Sequence, residues 1–412
     1  MLVRVFLGFR NDSPNLGGPE NSLHRWRDQG APELLADYGC AWTFFLYVAD
    51  RYGHDFMQAF HLNSEARNIA GFDAHLASEG ETETFIDLLP IWQAALMTAG
   101  QINIGSALES SSYSVEDLEF MTLPLSKVNW TAPQAYSSPG APTNGADFVR
   151  LRDASGAYLA ARQIDSLQFM GATTYATVSA FRPRGAAIVT VPGNSINSVI
   201  ERQFDLSGGG QIAIDLQWGL EPYYDFFVVQ VYDEEIGDYV SLASEYTTTL
   251  AENTFGDYLP GITNSSAGVV TATYDASAFA SQGQVKVALR VLTDEEVISP
   301  GVRFFGMSVD GVNIADATNF TTWTVVEDPV YAWSVVLVSF TEDDKIVPVY
   351  INDLPLTDDY TASLNKQQVE ALTGTKGDFV GVKVAAVDPT GRIEVYADYT
   401  LMVNGFVQPG GS

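Results

Sequence analysis

Four histidines (His24, His54, His61 and His75), one cysteine (Cys40) and a large surplus of carboxylates are the side chains of this sequence best equipped for chemistry. Zinc hydrolysis on a helix needs two histidines one turn apart with a glutamate between them, so that both imidazoles reach one ion while the glutamate activates its water. No pair of the four histidines has that arrangement. His54 and His61 stand two turns apart with no third ligand in a recognisable position, which favours ordinary surface histidines. Cys40 has no partner for an internal disulfide or a thiolate zinc cluster, and its apolar neighbours Trp42, Phe44, Phe45 and Leu46 predict a buried structural thiol. No Gly-x-Ser-x-Gly elbow occurs, and the serine run at 110–114 reads as a loop.

The carboxylates remain. Asp and Glu total 51 against 21 Lys and Arg, a formal charge of -30. A field of that sign repels phosphate backbones and anionic lipid, so nucleic acid is not an expected partner. The same oxygens suit a hard divalent cation such as calcium, although a charge that only keeps the chain dispersed in water explains the composition equally well. Thr293-Asp294-Glu295-Glu296 forms one acidic loop. Paired acids would also serve sugar hydrolysis, but nothing in the sequence sets their separation.

The elements that must position these groups fall into two regimes. Over residues 33–96 the apolar spacing is helical: Leu34, Leu35, Tyr38, Trp42, Phe45, Leu46 and Ala49 repeat near 3.6 and predict a core helix ending at Gly53. Further helices are expected over 55–62 and 71–78, and from Thr84, where Asp87 supplies the acid of a first turn. After Gly100 the pattern changes to short alternating runs bounded by Gly, Pro, Asn and Ser, read as strands at 157–164, 186–191, 211–218, 333–340, 347–351, 379–387 and 392–401. Residues 129–145 read as a linker or long loop. The chain is long enough for several cores, and 46% hydrophobic residues supply them. The fold class is therefore mainly β with an N-terminal α-helical segment, its β-domains of β-sandwich or jelly-roll type. No apolar run is long enough to span a bilayer, and residues 1–9 are too short for a signal peptide with a cleavage site.

Certain residues resemble a known family. Asn21-Ser22-Leu23, Trp26, Asp28-Gln29, Asp37-Tyr38-Gly39, Asp50-Arg51-Tyr52-Gly53, Phe85-Ile86-Asp87-Leu88 and Trp92 are similar to the end of the catalytic domain of secreted gluzincin-like metallopeptidases. Gly145-Ala146-Asp147-Phe148, Phe204-Asp205-Leu206-Ser207, Glu221 with Tyr224-Asp225 and Val228, Pro260-Gly261-Ile262-Thr263, Thr293-Asp294 and Val309-Asp310 follow the order of the β-sandwich of immune inhibitor A peptidases. The resemblance covers about residues 21–333 and fades beyond Trp333.

It implies four segments: a helical remnant of a catalytic domain at 1–100, a connecting β region at 101–198, the sandwich at 199–320 and a small β-domain at 321–412. It implies no catalysis and no zinc in this chain, because the histidine motif is absent. Secretion or cell-surface location follows from the resemblance alone. Glu221, Asp225 and Asp310 match family positions; together with Asp294 they are the expected ligands of a structural calcium ion. Expected partners are an extracellular protein or cell-surface polymer, a separate catalytic segment, or further copies of the chain. The helical segment is expected to pack on the sandwich with Trp42, Phe45 and Trp92 buried.

Overall fold

The computed structural model describes residues 21–24, 34–63, 68–98, 140–175, 179–194, 196–294, 297–342, 346–391, 393 and 395–411. The fold is mainly β, with helices first and antiparallel sheets after them. It divides into two compact units, residues 1–176 with 328–412, and residues 177–327. The first unit is thus discontinuous, and the ends expected as separate segments share it with residues 140–176.

In that unit four helices come first, α1 (Leu34–Tyr52), α2 (His54–Leu62), α3 (Asn68–Ser78) and α4 (Phe85–Thr98). Gly53, at φ 89, breaks the first from the second in a backbone region open to glycine. At the start of α4 the Asp87 carboxylate accepts hydrogen bonds from the Thr84 backbone N–H at 2.8 Å and from the Thr84 hydroxyl at 2.7 Å. An end so closed contributes roughly 1 kcal/mol. Replacing Asp87 with alanine is expected to lower stability by about that much, read from the urea midpoint at constant slope.

The helices cover one face of a four-stranded sheet ordered Ile346–Asp353, Ala332–Glu342, Phe379–Val387, Asp147–Arg150. Alternation along the strands splits its side chains between two cores. Val336, Val338, Phe340, Phe379, Ala385 and Phe148 meet Phe44, Tyr47, Leu88 and Trp92 of the helices. Val335, Leu337, Val380, Val382, Val384 and Val149 point the other way, onto Leu167, Phe169, Leu401 and Val403 of a second four-stranded sheet, Thr361–Asn365, Ser166–Gly171, Tyr399–Val403, Phe406–Val407. Burial on both faces explains the unbroken apolar run of Phe379–Val387.

Three expectations are corrected here. The helices pack on this sheet of their own unit, and α1 turns the other way from the face read in the sequence. Ala36, Cys40, Phe44, Tyr47 and Val48 are buried, as is Trp92, while Trp42 is 58% exposed and Phe45 36%. Because α1 is apolar nearly all round, a period of 3.6 fits either face. Residues 157–164 are also no regular strand: Tyr158 makes one isolated bridge and Ala161–Gln163 is a 3-10 turn, since Leu159, Ala160 and Ala161 are buried in succession where a half-buried strand would alternate.

The second unit is a two-sheet sandwich. One sheet runs Thr247–Thr248, Gly261–Ile262, Phe226–Asp233, Gln284–Thr293, Ile196–Asp205, Thr324–Val326, with Asp238–Ser241 beside Phe226–Asp233. The other runs Val270–Asp275, Gln211–Gly219, Gly301–Val309, Ala187–Thr190, Phe181–Arg184, with Val312–Asn313 beside Gly301–Val309. Ile200, Phe204, Val229 and Leu289 from the first face Ile212, Ile214, Leu216 and Phe304 from the second.

Candidate metal centre

Glu221 and Asp225 bracket the connection between the two sheets. Strand Gln211–Gly219 ends, Leu220 donates its N–H to the Asn264 carbonyl at 2.7 Å, and the Glu221 carbonyl then accepts from the Asp225 N–H at 3.0 Å to close a turn. Thr263 latches that turn: its hydroxyl donates to the Glu221 carbonyl at 2.9 Å and accepts the Tyr223 N–H at 2.9 Å. Tyr223 takes φ 67, a left-handed conformation such a latch helps to hold. Strand Phe226–Asp233 begins directly afterwards and pairs with Gln284–Thr293, Phe226 opposite Leu292. That pairing delivers Asp294, just past the end of its strand, to the same corner.

Asp225 is fully buried. Its carboxylate accepts the Glu221 N–H at 3.2 Å and the Asp294 N–H at 3.3 Å, and it hydrogen bonds the Ser299 side chain. Burial raises its pKa above the ordinary carboxylate value and the charge of Asp294 adds to the rise, while Ser299 and the two N–H groups act against it. Carboxylate oxygens of Glu221, Asp225 and Asp294 all lie within 4.8 Å of one another. An ion at about 2.4 Å from each ligand reaches two oxygens up to about 4.8 Å apart, so each pair of these carboxylates lies within the span of one shared calcium ion. Among the described residues this is the one group of three or more His, Cys, Asp or Glu side chains so close together.

Asp310, the fourth expected ligand, sits elsewhere. It follows strand Gly301–Val309 at the end opposite Gly301, and Gly301 pairs with Gly219 next to the acidic corner. One strand length, roughly 25 to 30 Å, separates the two places. There Asp310, at φ 50, accepts the Gln211 N–H at 2.8 Å and donates its own N–H to the Gln211 carbonyl at 2.7 Å, which is turn chemistry. Glu295 and Glu296 lie outside the described residues.

His54 and His61 are exposed on α2. His75 is buried against the Phe56 carbonyl at 3.3 Å, and His24 is held by the Ile393 carbonyl at 2.9 Å. Cys40 is buried, as its neighbours predicted, and its thiol donates to the Asn21 carbonyl at 3.6 Å. Sequence reasoning missed Ser299, which bonds Asp225 from beyond the acidic loop; only the strand register brings it near. No helix among the described residues is long and apolar enough to cross a membrane. No protein-family model matches this chain, and no curated protein matches it.

Proposed function

We propose that the chain is the non-catalytic C-terminal region of a secreted metallopeptidase-like protein, whose β-sandwich is stabilised by calcium and serves to support a catalytic partner or to bind an extracellular substrate. The observation that supports this reading is the convergence of Glu221, Asp225 and Asp294 at one corner, with Asp225 buried and its pKa raised. Three carboxylates held this close repel one another, and a cation among them reverses the sign of that interaction. The ion's role is structural: it ties the turn at 221–225 to the end of the neighbouring strand.

Titration calorimetry on chelator-stripped protein tests the reading. One calcium ion per chain is expected, bound more weakly as pH falls through the raised pKa of Asp225, because the proton and the ion compete for the same oxygens. The absence of heat at any pH would contradict it. The same preparation is expected to leave casein and gelatin intact with or without added zinc; digestion abolished by chelation would sink the non-catalytic assignment.

A second reading, a free-standing extracellular structural or adhesive protein that assembles with copies of itself or binds cell-surface polymer, is favoured by the aromatic surface of α1.

A further inference from the structure

The first sheet of the sandwich carries, on the face turned away from the core, a buried cation with no matching anion. Along strand Gln284–Thr293 the side chains of Val287, Leu289 and Val291 enter the sandwich core, so Ala288, Arg290 and Leu292 turn outward. Phe255 and Tyr258 cover part of that outward face, packing with Phe226, Val228 and Leu292. Arg290 lies beside this small cluster, its guanidinium 4.6 Å from the Tyr258 ring, and is only 6% exposed. Its hydrogen-bond partners are neutral. Nε donates to Gln230 Oε1 at 2.9 Å and Nη1 to Asn197 Oδ1 at 2.5 Å. Gln230 also donates to the Ser241 hydroxyl at 3.1 Å, and that hydroxyl donates to the Tyr258 carbonyl at 2.7 Å, which fixes the guanidinium in place. A guanidinium has five N–H donors, so these two bonds leave three without an acceptor among the described residues.

Elsewhere the chain gives its arginines acids. Arg51, Arg150 and Arg202, all less buried, pair with Glu83, Glu342 and Asp316. Acids do stand in the neighbourhood of Arg290, but they are engaged or out of reach. Glu201, opposite Ala288 on the next strand, is taken by Lys286 Nζ at 3.0 Å and by the Tyr239 hydroxyl. Asp294 follows four residues along, roughly 13 Å away and beyond ion-pair reach. Arginine does not shed its charge on burial as lysine can. A buried charge is costly until an opposite one joins it. In a chain with 51 carboxylates, none among the described residues forms an ion pair with this arginine.

We propose that Arg290 anchors a binding site for the carboxylate group of a ligand, which accepts the N–H donors that the protein leaves unused. The planar guanidinium matches a carboxylate in shape as well as charge, and Gln230, Asn197 and Tyr258 hold it ready. An arginine so little exposed admits the end of a ligand and not a broad surface. The formal charge of -30 repels a dianion twice as strongly as a monoanion, which selects a monocarboxylate over phosphate or sulfate. Arg290 takes no part in the acidic corner, so the same binding is expected with or without calcium.

Saturation-transfer NMR on the full chain at constant ionic strength tests this with acetate, glucuronate and N-acetylglycine against neutral acetamide and glucose. The three carboxylates are expected to bind saturably, with dissociation constants on the order of 1 mM, and the neutral probes not to bind. Glucuronate binding tighter than N-acetylglycine identifies an acidic sugar as the source of the carboxylate, and the reverse a peptide terminus. Asn197→Asp places a carboxylate where the Asn197 oxygen already meets Nη1. It should raise the melting midpoint of the ligand-free protein by several degrees and abolish acetate binding, because the internal anion takes the place of the external one. Arg290→Lys keeps the charge without the fork and should weaken acetate binding about tenfold; it carries the test should Asn197→Asp fold poorly. Arg303→Gln, at an exposed arginine on the other sheet, should change nothing. No saturable carboxylate binding, acetamide binding as well as acetate, or acetate binding undiminished in both Asn197→Asp and Arg290→Lys overturns the proposal. So does sulfate binding tighter than acetate, since the site would then take dianions.

Discussion

Replacing Lys383 with methionine is expected to stabilise the helix-bearing unit at pH 7 and below, by on the order of 4 kcal/mol. Lys383 sits mid-strand in Phe379–Val387, fully buried. Its cross-strand neighbours are Val336 and Phe148, both in the core beneath the helices. Its ammonium donates to the Ser334 hydroxyl at 2.6 Å. Burial pushes its pKa down to about 7 from 10.5, with the charge of Asp353 drawing it partly back. The unfolded chain keeps its proton until the ordinary lysine value. Between about pH 7 and 10.5 the unfolded state therefore binds more protons, and the wild-type chain gains stability as pH rises through that window. Below about 7 both states are protonated, the slope vanishes, and the cost of a buried cation stands in full. Methionine has similar length and no charge, so it should remove both the cost and the slope. Denaturant midpoints from pH 6 to 10 check this; parallel profiles for the two proteins would mean that Lys383 is not buried as a cation.

Lys383 also shows where the sequence misleads. The strand around it was readable to the residue, because an apolar run ending at Val387 before Asp388-Pro389 has few other solutions. One lysine inside it gives no sign of pointing into a core. Helix α1 was equally readable as a helix and unreadable as a surface, since Tyr38, Trp42 and Phe45 fit the helical period as well as Cys40, Phe44 and Tyr47 do. Periodicity reports a face only when the other face is polar.

Long-range pairing was beyond local pattern altogether. Asp147–Arg150 forms a sheet with Phe379–Val387 across the whole of the second unit, and no turn signal announces a connection of that length. The candidate site divides the same way. Glu221 and Asp225 share one turn, and Asp294 joins them through strand register. Asp310 follows a strand in the same sandwich but at its far end, a distinction that sequence order does not carry.

The central claim is that the acidic corner is a calcium site that stabilises the sandwich. An ion bound to the folded state alone adds RT ln(1 + [L]/Kd), about 2.7 kcal/mol at a hundred times the dissociation constant, or roughly 5 to 10 °C in a unit of this size. Proton linkage gives the effect a signature. Without the ion, the raised pKa of Asp225 means that the folded state holds its proton more tightly than the unfolded one, so stability falls as pH rises from the ordinary carboxylate value through the raised one. With calcium the stabilisation is complete above that raised value and is lost as pH falls through it. Asp225→Asn keeps the shape of the side chain while removing its charge, and should abolish most of the calcium response; Asp215, on a strand outside the cluster, should tolerate the same change.

Thermal melting of the wild-type and Asp225→Asn proteins at neutral pH, each in millimolar calcium and in excess chelator, is the most direct test. The expected result is a calcium-dependent rise of several degrees in the wild-type sandwich transition that largely disappears in Asp225→Asn. Coincident wild-type midpoints in calcium and chelator, or a calcium shift that survives the substitution undiminished, would contradict the assignment.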